Sequence, residues 1–116
     1  MSRHVNAENV NQWLDELFSH MDSFRVTASY NAMMFLDAYE EGDYETAQEY
    51  ALEVEYFLDT ISRMVRVARL RRLIGPIHYE ISVAEALGNI QRARVWNRCL
   101  FRLYDTMMEL TANIEI

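Results

Sequence analysis

Histidine and cysteine are the residues of this chain best suited to metal binding or nucleophilic catalysis, and there are few of them. They are His4, His20, His78 and Cys99. No histidine occurs in a His-Glu-x-x-His or Glu-x-x-His segment, the spacings that bring metal ligands together on one helix face. The sequence also contains no glycine-rich loop of the kind that holds phosphates. We therefore expect neither a metal ion nor a cofactor.

Cys99 is expected to be a structural thiol rather than a nucleophile. It directly precedes Leu100, within an apolar repeat that begins at Trp96. A cysteine beside such a repeat is more often a buried core residue than a reactive one. A single cysteine cannot form an internal disulfide bond, which is typical of proteins from a reducing compartment.

One arginine and one histidine have the chemistry needed for RNA cleavage. Arg72 begins and His78 ends the segment Arg-Leu-Ile-Gly-Pro-Ile-His. Arginine can stabilise the charge of a phosphate, and histidine can transfer a proton. The segment resembles the arginine-histidine motif of the HEPN family of helical domains. The resemblance implies a metal-independent ribonuclease or RNA-binding subunit with Arg72 and His78 as catalytic residues, which we keep as the alternative to a non-catalytic function.

The amino-acid composition indicates what kind of fold must position these side chains. The chain has 116 residues and a mass of 13.8 kDa, which fits a single domain over residues 1–116. Hydrophobic residues make up 51% of it, and only three glycines and one proline interrupt them, so disorder and loop-rich sandwiches are excluded. No apolar run is long enough to cross a membrane. We expect a soluble cytoplasmic domain without membrane contact.

The charges are distributed unevenly along the chain. All eleven basic residues are arginines, so the chain lacks lysine. Residues 1–59 hold thirteen acidic residues and two arginines, a net charge of −11, whereas residues 60–116 hold nine arginines and five acidic residues, a net charge of +4. Opposite charges of this kind can attract two parts of one chain or two copies of it. The acidic half also suggests a further alternative, an inhibitor that imitates nucleic acid.

The hydrophobic pattern predicts an all-α fold, an elongated bundle of about four helices. The clearest predicted helix spans residues 43–74, where apolar residues recur at intervals of four and three. They are Ala47, Ala51, Val54, Leu58, Ile61, Val65 and Ala68, with Tyr50, Phe57 and Met64 beside them. A second long helix is predicted over residues 89–112 from Trp96, Leu100, Leu103, Met107, Leu110 and Ile114. The first helix would be about 48 Å long, longer than a compact globule of this chain is wide.

Glycine residues mark the predicted helix boundaries. Gly42 before an aspartate predicts a tight turn, in which glycine ends one helix and the aspartate caps the next. Gly75 with Pro76 predicts a second boundary, with the glycine beyond the long helix and the proline at the first position of its successor. Gly88 predicts a kink or a short turn. Residues 6–41 are expected to form one long helix or two, with Trp13 in the core.

The predicted turn at residue 42 lies within a segment that resembles a known helical pair. In residues 28–61, a small residue and an aromatic residue precede Gly42-Asp43-Tyr44, and Ala47 and Tyr50 follow it. This segment is similar to the helix-turn-helix of tetratricopeptide-type proteins. The resemblance implies an interaction module, because that family binds peptides and proteins.

The end of the long predicted helix is apolar on two sides. Such an end could be the buried centre of the domain, a partner or self-association surface, or, given Arg66 and Arg69, a nucleic-acid patch. We predict a docking surface for another protein or a second copy, most simply a homodimer, in a non-catalytic adaptor or regulator. Its predicted apolar residues are Val67, Leu70, Leu73 and Ile74. Two charged stripes are predicted to fix the register of the contact. One consists of Glu45, Glu49 and Glu53, and the other of Arg94, Arg98 and Arg102.

Overall fold

The computed structural model describes residues 7–115 and shows five α-helices and no strand within them. The helices are α1 (Ala7–Ser19), α2 (Met21–Glu40), α3 (Tyr44–Arg71), α4 (Ile74–Ala86) and α5 (Ile90–Thr111). The molecule extends 70 × 28 × 18 Å. The predicted elongated all-α fold with two long helices is confirmed, and α3 is unbroken over 28 residues.

Two turns share one geometry, in which a glycine is followed by a capping residue. Gly42 has a φ of 80° and Gly88 a φ of 68°, a conformation that favours glycine. The side chains of Asp43 and Asn89 each accept a hydrogen bond from the backbone N–H three residues later, at 3.2 and 3.1 Å. The turn predicted at Gly42 is confirmed, and a short turn rather than a kink forms at Gly88.

The boundary predicted at Gly75 and Pro76 is wrong. Both residues lie in the first turn of α4, and Gly75 has no positive φ. Proline is tolerated there because the N–H groups of a first helical turn have no acceptor within the helix. Arg72 and Leu73 form the connection instead, both with right-handed helical backbone angles, so the turn needs no glycine.

The N-terminal region forms two helices that separate at His20. The His20 side chain makes no capping hydrogen bond to α2. Trp13 of α1 packs partly buried against the core, and its indole Nε1 donates a hydrogen bond to Oγ1 of the fully buried Thr111 at 3.2 Å. This bond ties the N-terminal helix to the end of α5.

Most of the core lies in the half of the molecule that we call the bundle. It consists of α1, α4, α5 and the C-terminal half of α3. Its larger cluster is Val10, Leu14, Val67, Ile77, Ile81, Leu103, Tyr104 and Met107. A smaller cluster of Leu17, Phe24, Met64 and Ile114 adjoins the start of α2. The chain thus encloses a core where four helices meet.

The other half is a two-helix hairpin that we call the arm, residues 25–58. Here α2 and α3 pack against each other over most of their length and are joined by the turn at Gly42. The buried residues at their interface include Ala28, Ala38 and Ala47. Their small side chains let the helices approach closely, but two helices cannot cover each other's outer faces.

The buried side of α3 differs from the predicted repeat. Leu58 was predicted in the repeat but is 56% exposed, whereas Thr60, Met64 and Val67 are buried. In the arm α3 faces α2, whereas in the bundle it also faces α1 and α5. Because these neighbours lie in different directions around its axis, no single repeat describes both halves.

Candidate docking groove

An open apolar groove lies beside the junction of α3 and α4, with α5 as its other wall. Its volume is about 640 Å³. The residues that line it are Leu70, Leu73, Pro76, Ile77, Glu80, Trp96, Cys99, Arg102, Leu103 and Thr106. A concave, mostly apolar surface with a few polar groups at its edge is suited to binding another molecule.

The short connection between α3 and α4 creates this groove. With only Arg72 and Leu73 between the two helices, the chain cannot fold back to cover the last turn of α3. Leu73 therefore stays 49% exposed, although it stands between two apolar helices. Pro76 and Ile77 in the first turn of α4 extend the same apolar wall.

The structure separates the predicted docking residues into exposed and buried ones. Leu73 lines the groove as a half-exposed residue, and Leu70 also lines it but packs partly buried against the core. Ile74 packs partly buried against the core. Val67 is fully buried within the chain, so a partner cannot reach it in this fold, and its prediction as a contact residue is wrong. The cause is the shift of the buried face of α3, which directs Val67 toward α5.

Cys99 is exposed, so the prediction of a buried thiol is wrong. On α5 it lies at the edge of the buried face, and the groove leaves that edge uncovered. The part of the groove formed by Pro76, Ile77 and Trp96 was not predicted from the sequence. Their apolar character was visible in the sequence, but their convergence depends on the angle between α4 and α5.

The unpaired charge beside the groove is positive. Glu80 lines the groove, but its Oε2 accepts a hydrogen bond from a guanidinium nitrogen of Arg92 at 3.0 Å. Arg102 also lines the groove, and Arg98 lies one turn before it on α5. Neither Arg98 nor Arg102 forms an ion pair with any residue that the structure describes. A negatively charged group on a partner could therefore bind here.

The other predicted charged residues are also exposed. Arg66 and Arg69 on α3 and Arg94 on α5 are solvent-accessible. The acidic stripe Glu45, Glu49 and Glu53 lies exposed on the arm. Within residues 7–115, none of these six side chains forms an ion pair. Both stripes are available to a partner, but they lie in different halves of the molecule.

The residues considered for catalysis lie on the surface of the molecule. Arg72 at the end of α3 and His78 on α4 are both exposed. The described residues contain no group of three or more His, Cys, Asp or Glu side chains that could hold a metal ion. His4 lies outside the described residues. The HEPN-like interpretation of Arg72 and His78 stays a prediction.

A second exposed apolar surface lies on the arm, where the sequence analysis did not predict one. The Tyr39 and Tyr44 rings contact each other edge to face across the turn, with centroids 5.4 Å apart, and Phe35 stacks on Tyr39 at 6.0 Å. Leu36 and Leu58 are each 56% exposed. These aromatic contacts stiffen the tip of the arm without covering it.

No helix among the described residues is both long and apolar enough to span a membrane. Comparison with known proteins gives no match to a family model, a curated protein or a solved structure. The tetratricopeptide-type resemblance of residues 28–61 therefore stays a prediction, although these residues do form part of two helices joined by the turn at Gly42.

Proposed function

We propose that this protein is a non-catalytic assembly subunit that self-associates, with the groove as its docking surface. The observation that carries the proposal is the combination of an open apolar groove with neighbouring arginines that lack an ion-pair partner among the described residues. Apolar surfaces with polar rims are typical of protein-protein contacts. The half-exposed Leu73 provides the apolar contact, and Arg98 and Arg102 provide charge complementarity.

The charge distribution supports a second copy as the occupant. The groove lies in the half of the chain with a net charge of +4, and the arm lies in the half with a net charge of −11. In two antiparallel copies, each groove comes near the acidic half of the other. Complementary charges of this kind increase the association rate and select the relative orientation.

The experiment compares two leucine substitutions by sedimentation equilibrium. Leu73→Asp introduces a charge into the groove, whereas Leu87→Asp introduces the same charge at the distant end of α4, where Leu87 is 71% exposed. We expect a micromolar homodimer for the wild type and for Leu87→Asp. Leu73→Asp is expected to be a monomer with the same helical content, because a carboxylate in an apolar contact loses hydration without gaining a partner.

Two results would overturn the proposal. One is a wild-type chain that stays monomeric throughout the micromolar and low millimolar range. The other is a Leu73→Asp variant that dimerises as tightly as Leu87→Asp, because the groove would then not be the contact surface. Circular dichroism of both variants checks that neither substitution unfolds the protein.

A further inference from the structure

The outer face of α3 carries a stripe that changes character along the helix. Its members recur at intervals of four and three residues, so they lie on one side of the helix. They are Glu45, Glu49, Leu52, Tyr56, Asp59, Arg63, Arg66 and Leu70. Leu52 is 60% and Tyr56 42% exposed, and Asn113 and Glu115 of the same chain lie beside Tyr56.

The stripe is suited to an antiparallel contact between two copies. The first half contributes Glu45 and Glu49, and the second half contributes Arg66 and Arg63, of which Arg63 is already paired with Asp59 at 3.0 Å. In antiparallel copies the acidic half of one stripe meets the basic half of the other, whereas parallel copies would place like charges together.

The basic end of the stripe leads directly to the groove. Leu70 is both the last member of the stripe and part of the groove wall. Leu52 lies about 27 Å from Leu70 along α3, at 1.5 Å per residue. Two antiparallel copies can therefore make the same contact twice, once at each end of the shared axis, which is the arrangement of a two-fold symmetric dimer.

The direction of α5 brings its arginines into register with the acidic stripe. α5 runs antiparallel to α3, since Leu103 and Thr106 adjoin the groove with Leu70, whereas Asn113 adjoins Tyr56. A partner α3 that is antiparallel to the first therefore runs parallel to α5. Glutamates at every fourth position then match arginines at every fourth position. The matching stripes are Glu45, Glu49 and Glu53 and Arg94, Arg98 and Arg102.

We propose that the occupant of the groove is the outer face of α3, residues 45–56, of a second copy, and that the contact is reciprocal. Leu52 and Tyr56 pack on the apolar walls, while Glu49 and Glu53 pair with Arg98 and Arg102. This inference rests on the proposed function, because it names the partner surface for the same groove. It explains why both charged stripes lack ion-pair partners within the described part of one chain.

A charge-swap experiment tests the pairing. One variant carries Glu49→Arg and Glu53→Arg, and the other carries Arg98→Glu and Arg102→Glu. Each variant alone brings like charges together at both contacts, so we expect dimerisation to weaken at least about tenfold. In the heterodimer that forms in an equimolar mixture, one contact joins the two altered stripes, which have opposite signs, and the other contact joins the two unaltered stripes. We expect the heterodimer to regain the wild-type dissociation constant within about threefold and to weaken in high salt.

A matched control carries Glu40→Arg and Glu55→Arg, the same change in charge at exposed sites on the arm outside the outer stripe. This control should dimerise like the wild type on its own, but it should not form a heterodimer of wild-type affinity with the Arg98→Glu and Arg102→Glu variant. If the wild type forms a groove-dependent dimer but the swapped pair does not recover, this inference is overturned and the proposed function stands. A wild-type monomer overturns both. Variants that had lost their fold could not recover on mixing, so recovery also shows that both are folded.

Discussion

The bundle and the arm bury very different shares of their apolar side chains. Of the fifteen large hydrophobic residues that the described chain leaves exposed, nine lie between Val26 and Leu58. In the bundle, α1, α3, α4 and α5 together enclose Leu14, Val67 and Met107 completely. Two helices can cover only the faces that they turn toward each other. The outer faces of the arm therefore remain uncovered within one chain, and a second copy would cover the outer face of α3.

The largest difference between the two regions should appear in the free energy of unfolding when one leucine is truncated in each region. Leu14 is fully buried, so Leu14→Ala should lower the free energy of unfolding by about 3 kcal/mol through lost burial and a cavity. Leu36 on the arm is 56% exposed, and Leu36→Ala should change the free energy of unfolding by less than about 0.5 kcal/mol. Urea denaturation of the two variants provides the comparison. Similar losses would show that the arm has a core of its own.

Hydrogen exchange should separate the two regions without any substitution. The arm has few buried apolar contacts, so its amides should exchange through local opening with protection about 100-fold below that of the bundle. Raising the protein concentration should increase protection in residues 45–56, because dimerisation covers that face of α3. Uniform protection along α3 at every concentration would contradict the difference between the two halves.

The two capped turns offer a smaller and more local comparison. Asn89→Ala should reduce the free energy of unfolding by about 1 kcal/mol, because α5 belongs to the cooperative bundle. Asp43→Ala removes the same kind of cap, but in the arm it should mainly increase amide exchange near the tip. Asn89→Asp and Asp43→Asn serve as controls because both keep a capping oxygen. If Asp43→Ala lowers the free energy of unfolding as much as Asn89→Ala does, the arm unfolds together with the bundle.

The smallest effect is expected at the residues considered for catalysis. Arg72→Ala and His78→Ala remove exposed side chains and should change the free energy of unfolding by less than about 0.5 kcal/mol. Neither change should alter dimerisation, and the wild type should leave mixed RNA intact on a gel. RNA cleavage that either substitution abolishes would support the HEPN-like alternative instead.

Local chemistry made the helix caps predictable, whereas the groove depended on tertiary structure. Gly42 with Asp43 identified a turn because the required φ and the capping oxygen are properties of those two residues. The exposure of Cys99 and the burial of Val67 depend on which helices lie on each side of α3 and α5. A repeat in the sequence gives the apolar face of a helix but not the direction of its neighbours. Of the predicted docking residues, Leu70 and Leu73 line the groove, whereas Val67 is buried within the chain, so its prediction was wrong.

The most direct test of self-association through the groove uses the native sequence. Cys99 is the only cysteine of the chain, and it is exposed in the groove, so a bulky maleimide can block docking without a substitution. Sedimentation equilibrium before labelling should give twice the 13.8 kDa mass of one chain, and after labelling the mass of one labelled chain. An unlabelled monomer, or a labelled protein that dimerises as tightly as the unlabelled one, would contradict the account.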